Sequence, residues 1–197
     1  MREIGGYIEY EHHDGEEYHK DCIALNSERN CLTYVLEARE IECIMLPRLL
    51  CSSIAGICLK MSVRIIYYSV DSYFKPVLPE DIDENIYIIK FYGQLENEYI
   101  YHLRERHPKL IVDYAQAFFS HPFQIVILYT YRKFFGVADG AYLYMDRVIE
   151  RGLLVERSYD RMTFLMGRYE NTAGEFLAIF GKMNSLFPNR ILNICLG

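Results

Sequence analysis

Three polar side chains stand at or just beyond the ends of apolar runs. Asp113 closes the run Leu110, Ile111, Val112; Gln116 follows three residues on; Lys133 comes shortly after the strongly apolar stretch from Phe123 to Tyr129. A short apolar run of this kind reads as a buried parallel strand, and in an open α/β sheet ligands sit outside the carboxyl ends of such strands. A carboxylate there can hold a pyridine nitrogen protonated, and an amide nearby can reach a phenolic ring oxygen. A lysine in a partly apolar pocket beside a second cation, here Arg132, is a competent amine nucleophile for a Schiff base. In combination these groups are what a pyridoxal phosphate site needs, because the protonated ring makes that cofactor an electron sink. Taken singly they have plainer readings, Asp113 as a cap or turn residue and Lys133 as a solvated surface charge.

The elements that must position these groups follow from the pattern of apolar residues. Residues 7 to 10 are expected as an early strand, 28 to 39 as a helix, Cys43 to Leu46 as a strand and 49 to 60 as a helix. Val63 to Val70 reads as a strand, and Tyr73 to Pro79, with two prolines, as an irregular connection. Ile86 to Phe91 reads as a strand and 94 to 106 as a helix, before the strands at 110, 123 and Ala141 to Met145. Gly136 and Gly140 allow a tight return into the last of these. The alternation predicts an α/β fold, a mainly parallel sheet with helices on both faces. Ser27 is a good N-cap, and the first free amides of the helix it opens can bind a dianion with help from the helix dipole. A plain cap with no ligand is the competing reading of Ser27. After Asp146, Met162, Leu165, Met166, Tyr169, Ala173, Phe176, Leu177 and Phe180 recur at helical spacing. They predict one long amphipathic helix over much of 158 to 183, with its stripe as a packing face rather than a cofactor-contacting surface.

The segments Asn26-Ser-Glu-Arg-Asn-Cys-Leu32, Val70-Asp71, Phe91-Tyr-Gly-Gln94, Val112-Asp-Tyr-Ala-Gln-Ala117 and Arg132-Lys-Phe-Phe-Gly-Val-Ala-Asp-Gly140 occur in the order and near the spacing of the DegT/StrS-type aminotransferases. The chain resembles that family from its start to roughly residue 185. The resemblance implies a fold type I, pyridoxal phosphate-dependent transferase architecture. Residues 1–150 would be the cofactor-binding large domain and 151–197 the helical start of an incomplete C-terminal domain, since relatives continue where this chain stops. It implies Lys133 as the Schiff-base lysine and catalytic residue, Asp113 as the partner of the pyridine nitrogen, and Gln116 as the contact to the ring oxygen. The phosphate cradle would be Ser27, Glu28 and Arg29, with a further hydroxyl from Thr130. Tyr92 and Gly93 resemble the family's aromatic-glycine turn beside the active site. Relatives carry glycine where this chain has Glu28, and aromatic residues after the proline where it has Leu46-Pro-Arg-Leu-Leu50-Cys51. The implied activity is amination of nucleotide-linked keto sugars from an amino donor, with glutamate as the candidate, in a homodimer whose active sites lie at the subunit boundary.

Composition bounds these expectations. With 197 residues, 51% hydrophobic and 24% charged, the chain can bury one substantial core as a single domain plus an appendage. A net charge of -6 offers no basic footprint for nucleic acid. No stretch has the apolar length of a membrane span, and Met1-Arg-Glu-Ile4 begins without a signal-peptide core, so a cytoplasmic protein is expected. Cys22, Cys31, Cys43, Cys51, Cys58 and Cys195 form no C-x-x-C pair and read as reduced thiols. Glu11-His-His13 and His19 lack a second ligand pair at regular spacing, so no metal is expected. Two classes of function compete: a working aminotransferase, favoured by Asp113, Gln116 and Lys133, and a non-catalytic large-domain remnant serving as an assembly or binding module, favoured by Glu28 and the early stop. A nucleotide-binding doubly wound domain of another kind has neither a G-x-G-x-x-G turn nor a Walker A loop to support it.

Overall fold

The computed structural model describes residues 15–123, 125–150, 152–156, 162–172, 174–175 and 192–194. In chain order its elements are β1 (Ile23–Leu25), α1 (Glu28–Ala38), β2 (Cys43–Pro47), α2 (Ser52–Lys60), β3 (Arg64–Val70), β4 (Pro76–Val77) and β5 (Asn85–Ile89). They continue with α3 (Asn97–Arg106), β6 (Leu110–Asp113), β7 (Val126–Thr130), β8 (Ala141–Tyr144), β9 (Leu154–Glu156), α4 (Met162–Glu170) and β10 (Leu192–Ile194). The strands form one ten-stranded sheet in the order β4-β3-β2-β5-β6-β7-β8-β1-β10-β9.

The centre of that sheet, β3-β2-β5-β6-β7, is parallel throughout. Every residue of β6 and β7 is buried, as a strand covered by helices on both faces requires. On one face Leu32 and Val35 of α1 and Ile57 of α2 pack with Ile89 and Leu128. On the other, Ile100 and Leu103 of α3 pack with Ile88, Val112 and Ile127. Each such side chain contributes roughly 1.5–3 kcal/mol of burial, so the floor of the sheet is held rigidly from both sides. The fold is the α/β large-domain architecture that the resemblance implies.

Several elements differ from the sequence expectation, each for a local reason. The strand expected over Ile86 to Phe91 stops at Ile89, because Phe91–Gly93 forms a 3-10 turn in which Tyr92 takes φ +50. The strand expected from Phe123 begins only at Val126, and ahead of it the Ile125 N–H donates to the Phe123 carbonyl. β8 runs antiparallel to β7. The chain between them is too short for the crossover of a dozen or more residues, usually helical, that a parallel neighbour needs. β1 and β4 come from segments too short to show a period, and β1 completes the antiparallel edge by pairing with β8.

The long helix expected over 158 to 183 is broken. α4 ends at Glu170, the Asn171 amide nitrogen turns back to the Gly167 carbonyl, and Thr172 with Glu175 forms a capping box that opens a separate turn. In the described part of its stripe, Met162, Met166 and Tyr169 are exposed and Leu165 is half-buried. The early strand at 7 to 10, Glu11-His-His13, Ala173, Phe176, Leu177, Phe180 and Cys195 lie outside the described residues.

Candidate active site

The chain runs from β2 outward to β3, then returns to place β5 on the other side of β2. Outside the carboxyl ends of these strands, at that reversal, an open α/β sheet leaves a crevice. Here the crevice is a cleft of about 330 Å³. Its walls come from separate elements: Leu50 and Cys51 after β2, Ile89 and Phe91 at the end of β5, Asp113 closing β6, Thr130 closing β7, and Ser27 to Arg29 opening α1. Ser53 and Ile54 of α2, Gln116, Arg132 and Lys133 complete it.

Asp113 sits in register with Ile89 of β5 and Leu128 of β7, which fixes it at the floor. Its Oδ1 accepts the Ala115 N–H at 2.7 Å, and its Oδ2 accepts the Tyr87 hydroxyl at 2.9 Å. Burial, together with the neighbouring Asp113 and Glu28, pushes the Tyr87 phenol well above its ordinary range, so this hydroxyl remains a donor. Gln116 accepts the Tyr92 N–H on Oε1 at 2.9 Å, which commits the amide oxygen to the 3-10 turn and leaves the NH₂ end to offer donors.

Ser27 takes an extended backbone (φ -158, ψ 152) and caps α1, its side chain accepting from the Asn30 N–H. Asn26 ties this turn to the lysine-bearing loop, because its carbonyl accepts the Gly140 N–H at 2.8 Å while its side chain accepts from the Asn30 amide. That loop, residues 131–140 between β7 and β8, is closed at its base by the Tyr131 N–H on the Gly140 carbonyl and carries Lys133 exposed at the rim. Gly140 has φ +119, and a Cβ there would lie 2.2 Å from the Tyr131 ring, so the return requires glycine. Gly136 faces open space and has no such requirement.

Glu28, in the first turn of α1, turns its carboxyl inward against Asp113. Its Oε1 is buried and, among the described residues, has no hydrogen-bond partner. Burial is the largest cause of a carboxyl held well above its usual range, followed by the charge and hydrogen bond of Asp113, with Lys133 pulling the other way. Burial and Asp113 therefore push Glu28 toward its neutral form inside the cleft.

Of the residues singled out in the sequence, Ser27, Glu28, Arg29, Asp113, Gln116, Thr130 and Lys133 line one cleft. Tyr92 does not line it; its side chain is 71% exposed, and Phe91 takes the wall position instead. Thr130 is buried with Oγ1 3.4 Å from the Gly140 carbonyl. Sequence reasoning missed Tyr87, Asn26 and Asn30. Only the phenol interrupting the apolar run of β5 hinted at the first. His19 is a buried core residue, with Nε2 2.8 Å from the Phe118 carbonyl and Nδ1 3.2 Å from the Tyr144 hydroxyl. The five described cysteines are free thiols. Among the described residues no helix is long and apolar enough to cross a membrane. A larger hollow of about 640 Å³ near Arg39 and Arg104 lies at the opposite ends of β6 and β7 and gathers no comparable set of catalytic groups.

The donor set suits a planar pyridine aldehyde bearing a phosphate. An acceptor carboxylate lies at the floor, an NH₂ stands beside it, hydroxyls and the N-terminal turn of α1 flank it, and an amine waits at the rim.

No family model and no curated protein sequence matches the chain. Solved structures do match in fold. The aminotransferase from Psychrobacter cryohalolentis gives a TM-score of 0.52 at 16% identity, over 64% of this chain and 38% of that one. NtdA from Bacillus subtilis, determined with bound cofactor PMP, gives 0.51 at 16% identity, over 64% of this chain and 33% of that one. Helicobacter pylori PseC, an aminotransferase involved in the biosynthesis of pseudoaminic acid, gives 0.51 at 13% identity, over 63% and 39%. The matched region thus spans less than half the length of these aminotransferases, and over it the chain shares their fold.

Proposed function

We propose that this chain is a pyridoxal phosphate-dependent, aminotransferase-like protein in which Lys133 carries the cofactor. The observation behind this reading is the convergence of Asp113 and Gln116, Lys133 and the Ser27 turn, from three separate parts of the chain, on one cleft at the reversal point of the sheet. When bound, the cofactor would supply an electron sink for the electron pair left when an amino donor loses its proton. Asp113, oriented by Ala115 and Tyr87, would accept from the ring nitrogen, and the Gln116 NH₂ would reach the ring oxygen. Ser27, Thr130 and the N-terminal turn of α1 at Glu28 and Arg29 would hold the phosphate, with the helix dipole adding to the attraction. Lys133 Nζ, at the rim, would hold and return the proton as general base.

The amino donor, with glutamate as the candidate, and a nucleotide-linked keto sugar as acceptor rest on the resemblance and on neighbours such as PseC. The same likeness supports a homodimer, with residues 1–150 as the cofactor domain and 151–197 as the start of a second. Glu28, lying where a ligand must come, favours a second reading, a non-catalytic assembly or binding module.

The test is visible absorbance of the folded protein with added pyridoxal phosphate, then borohydride reduction and peptide mass mapping. We expect a reduced adduct on Lys133 that is lost in Lys133→Ala. A folded protein that gives no adduct would overturn the cofactor reading and leave the module.

A further inference from the structure

We propose that Glu28 is a built-in competitor at Asp113, its carboxyl O–H filling the acceptor position that an incoming heterocyclic N–H would take, so that the cleft admits its ligand only as Glu28 leaves. This inference rests on the cofactor reading above.

The geometry that carries it is the crowding of Asp113. A carboxylate has about four acceptor positions. Ala115 N–H occupies one at 2.7 Å and the Tyr87 hydroxyl a second at 2.9 Å. Glu28 approaches from α1, and two carboxyls in hydrogen-bonding contact must share a proton. Asp113 already accepts twice, so the shared proton belongs to Glu28, which then donates. Its second oxygen, Oε1, is enclosed without a partner. That oxygen makes the present arrangement costly to hold and easy to trade for a ligand that satisfies the same acceptor.

The groups facing Glu28 agree with a neutral donor. They are Asp113 from β6, Tyr87 from β5, Lys133 from the 131–140 loop, Cys51 ahead of α2 and Cys31 on its own helix. Of these, only Lys133 favours the ionised form. As a residue Glu28 is half-buried at the start of α1, so its side chain has a route to solvent without unfolding the helix.

The test uses 4-deoxypyridoxine 5′-phosphate, which keeps the ring nitrogen and phosphate but lacks the aldehyde, so that binding is read without reaction at Lys133. Affinities at pH 7 are compared for the full chain, Glu28→Ala and the isosteric Glu28→Gln, with folding checked by circular dichroism and Glu28 followed by carboxyl ¹³C NMR. Glu28→Ala should bind at least about tenfold tighter than the unaltered chain, the worth of one hydrogen bond to a charged acceptor. Glu28→Gln, which keeps a neutral donor, should bind like the unaltered chain, and the Glu28 resonance should titrate above the ordinary glutamate range. Equal affinity in all three proteins, or Glu28→Gln binding as tightly as Glu28→Ala, overturns the competitor and leaves the cofactor reading standing. No binding by any of them, while Glu28 still titrates high, overturns both.

Discussion

Asp113 is useful only because of what holds it. Its two oxygens are each fixed by a donor, one by a backbone amide two residues on and the other by a phenol from the neighbouring strand. Replacing Tyr87 with Phe removes that donor without changing the ring's packing and leaves a buried carboxylate oxygen short of a partner. We expect a loss of about 1–3 kcal/mol in stability, read as a lower urea midpoint at unchanged slope. A midpoint equal to that of the unaltered chain would mean that the Glu28 carboxyl had taken over the vacated acceptor position. At this scale the sequence revealed Asp113 and Lys133, because both stand beside long apolar runs whose ends are easy to find. Tyr87 and the inward turn of Glu28 were hidden, since each depends on a contact between segments far apart in the chain, Tyr87 with Asp113 and Glu28 with Asp113. A local pattern carries no trace of such a pairing.

Among the elements, the loop between β7 and β8 decides where the amine sits. It departs from a buried strand, carries Lys133 exposed, and must return within ten residues to an antiparallel partner. The return is made at Gly140, where φ +119 excludes an L side chain and the Tyr131 ring lies 2.2 Å from any added Cβ. Gly140→Ala should therefore cost about 2–4 kcal/mol through strain and overpacking together, with a matching fall in Tm. Lys133 should become more accessible to an amine-modifying reagent as the loop shifts. Gly136→Ala, where nothing lies within 4 Å, is the control and should leave both readings unchanged. Tight return through glycine was legible in the sequence, but the direction of β8 was not. The apolar content of a strand sets its burial, whereas the length of the connection before it sets its direction. The break after α4 shows the same limit from the other side. Thr172 and Glu175 are a capping box in plain view. A hydrophobic stripe running past them on both sides suggested continuity that the cap prevents.

The whole molecule has an acid-sensitive joint on the face away from α1. His19 is 2% exposed and wedged among Tyr18, Phe118, Tyr129, Tyr142 and Tyr144, so it pins the chain leading into β1 onto the sheet. The Phe118 carbonyl can only accept, so Nε2 carries the ring proton of the neutral imidazole. Burial is the main cause that holds its pKa below the ordinary 6.5. The unfolded chain, whose histidine titrates normally, therefore binds a proton that the folded chain refuses. Stability must fall as pH drops below the ordinary value and keep falling until the folded group also protonates, with a slope of at most about 1.4 kcal/mol per pH unit for this one site. His107 is shifted in the same direction by burial and by Arg106, so replacing His19 should flatten the acid limb in part only. His19→Gln retains a donor for the Phe118 carbonyl without a titrating ring. Urea midpoints from pH 7 down to 5 should decline less steeply in that variant than in the unaltered chain, even if it begins less stable. Parallel declines would mean that the ring is protonated in the folded state as readily as in the unfolded one, and that the joint lies elsewhere. The cleft is reached from another part of the sheet, so ligand binding near neutral pH and acid unfolding should be separable in the same protein. In that case His19→Gln would change the second and leave the first as it was.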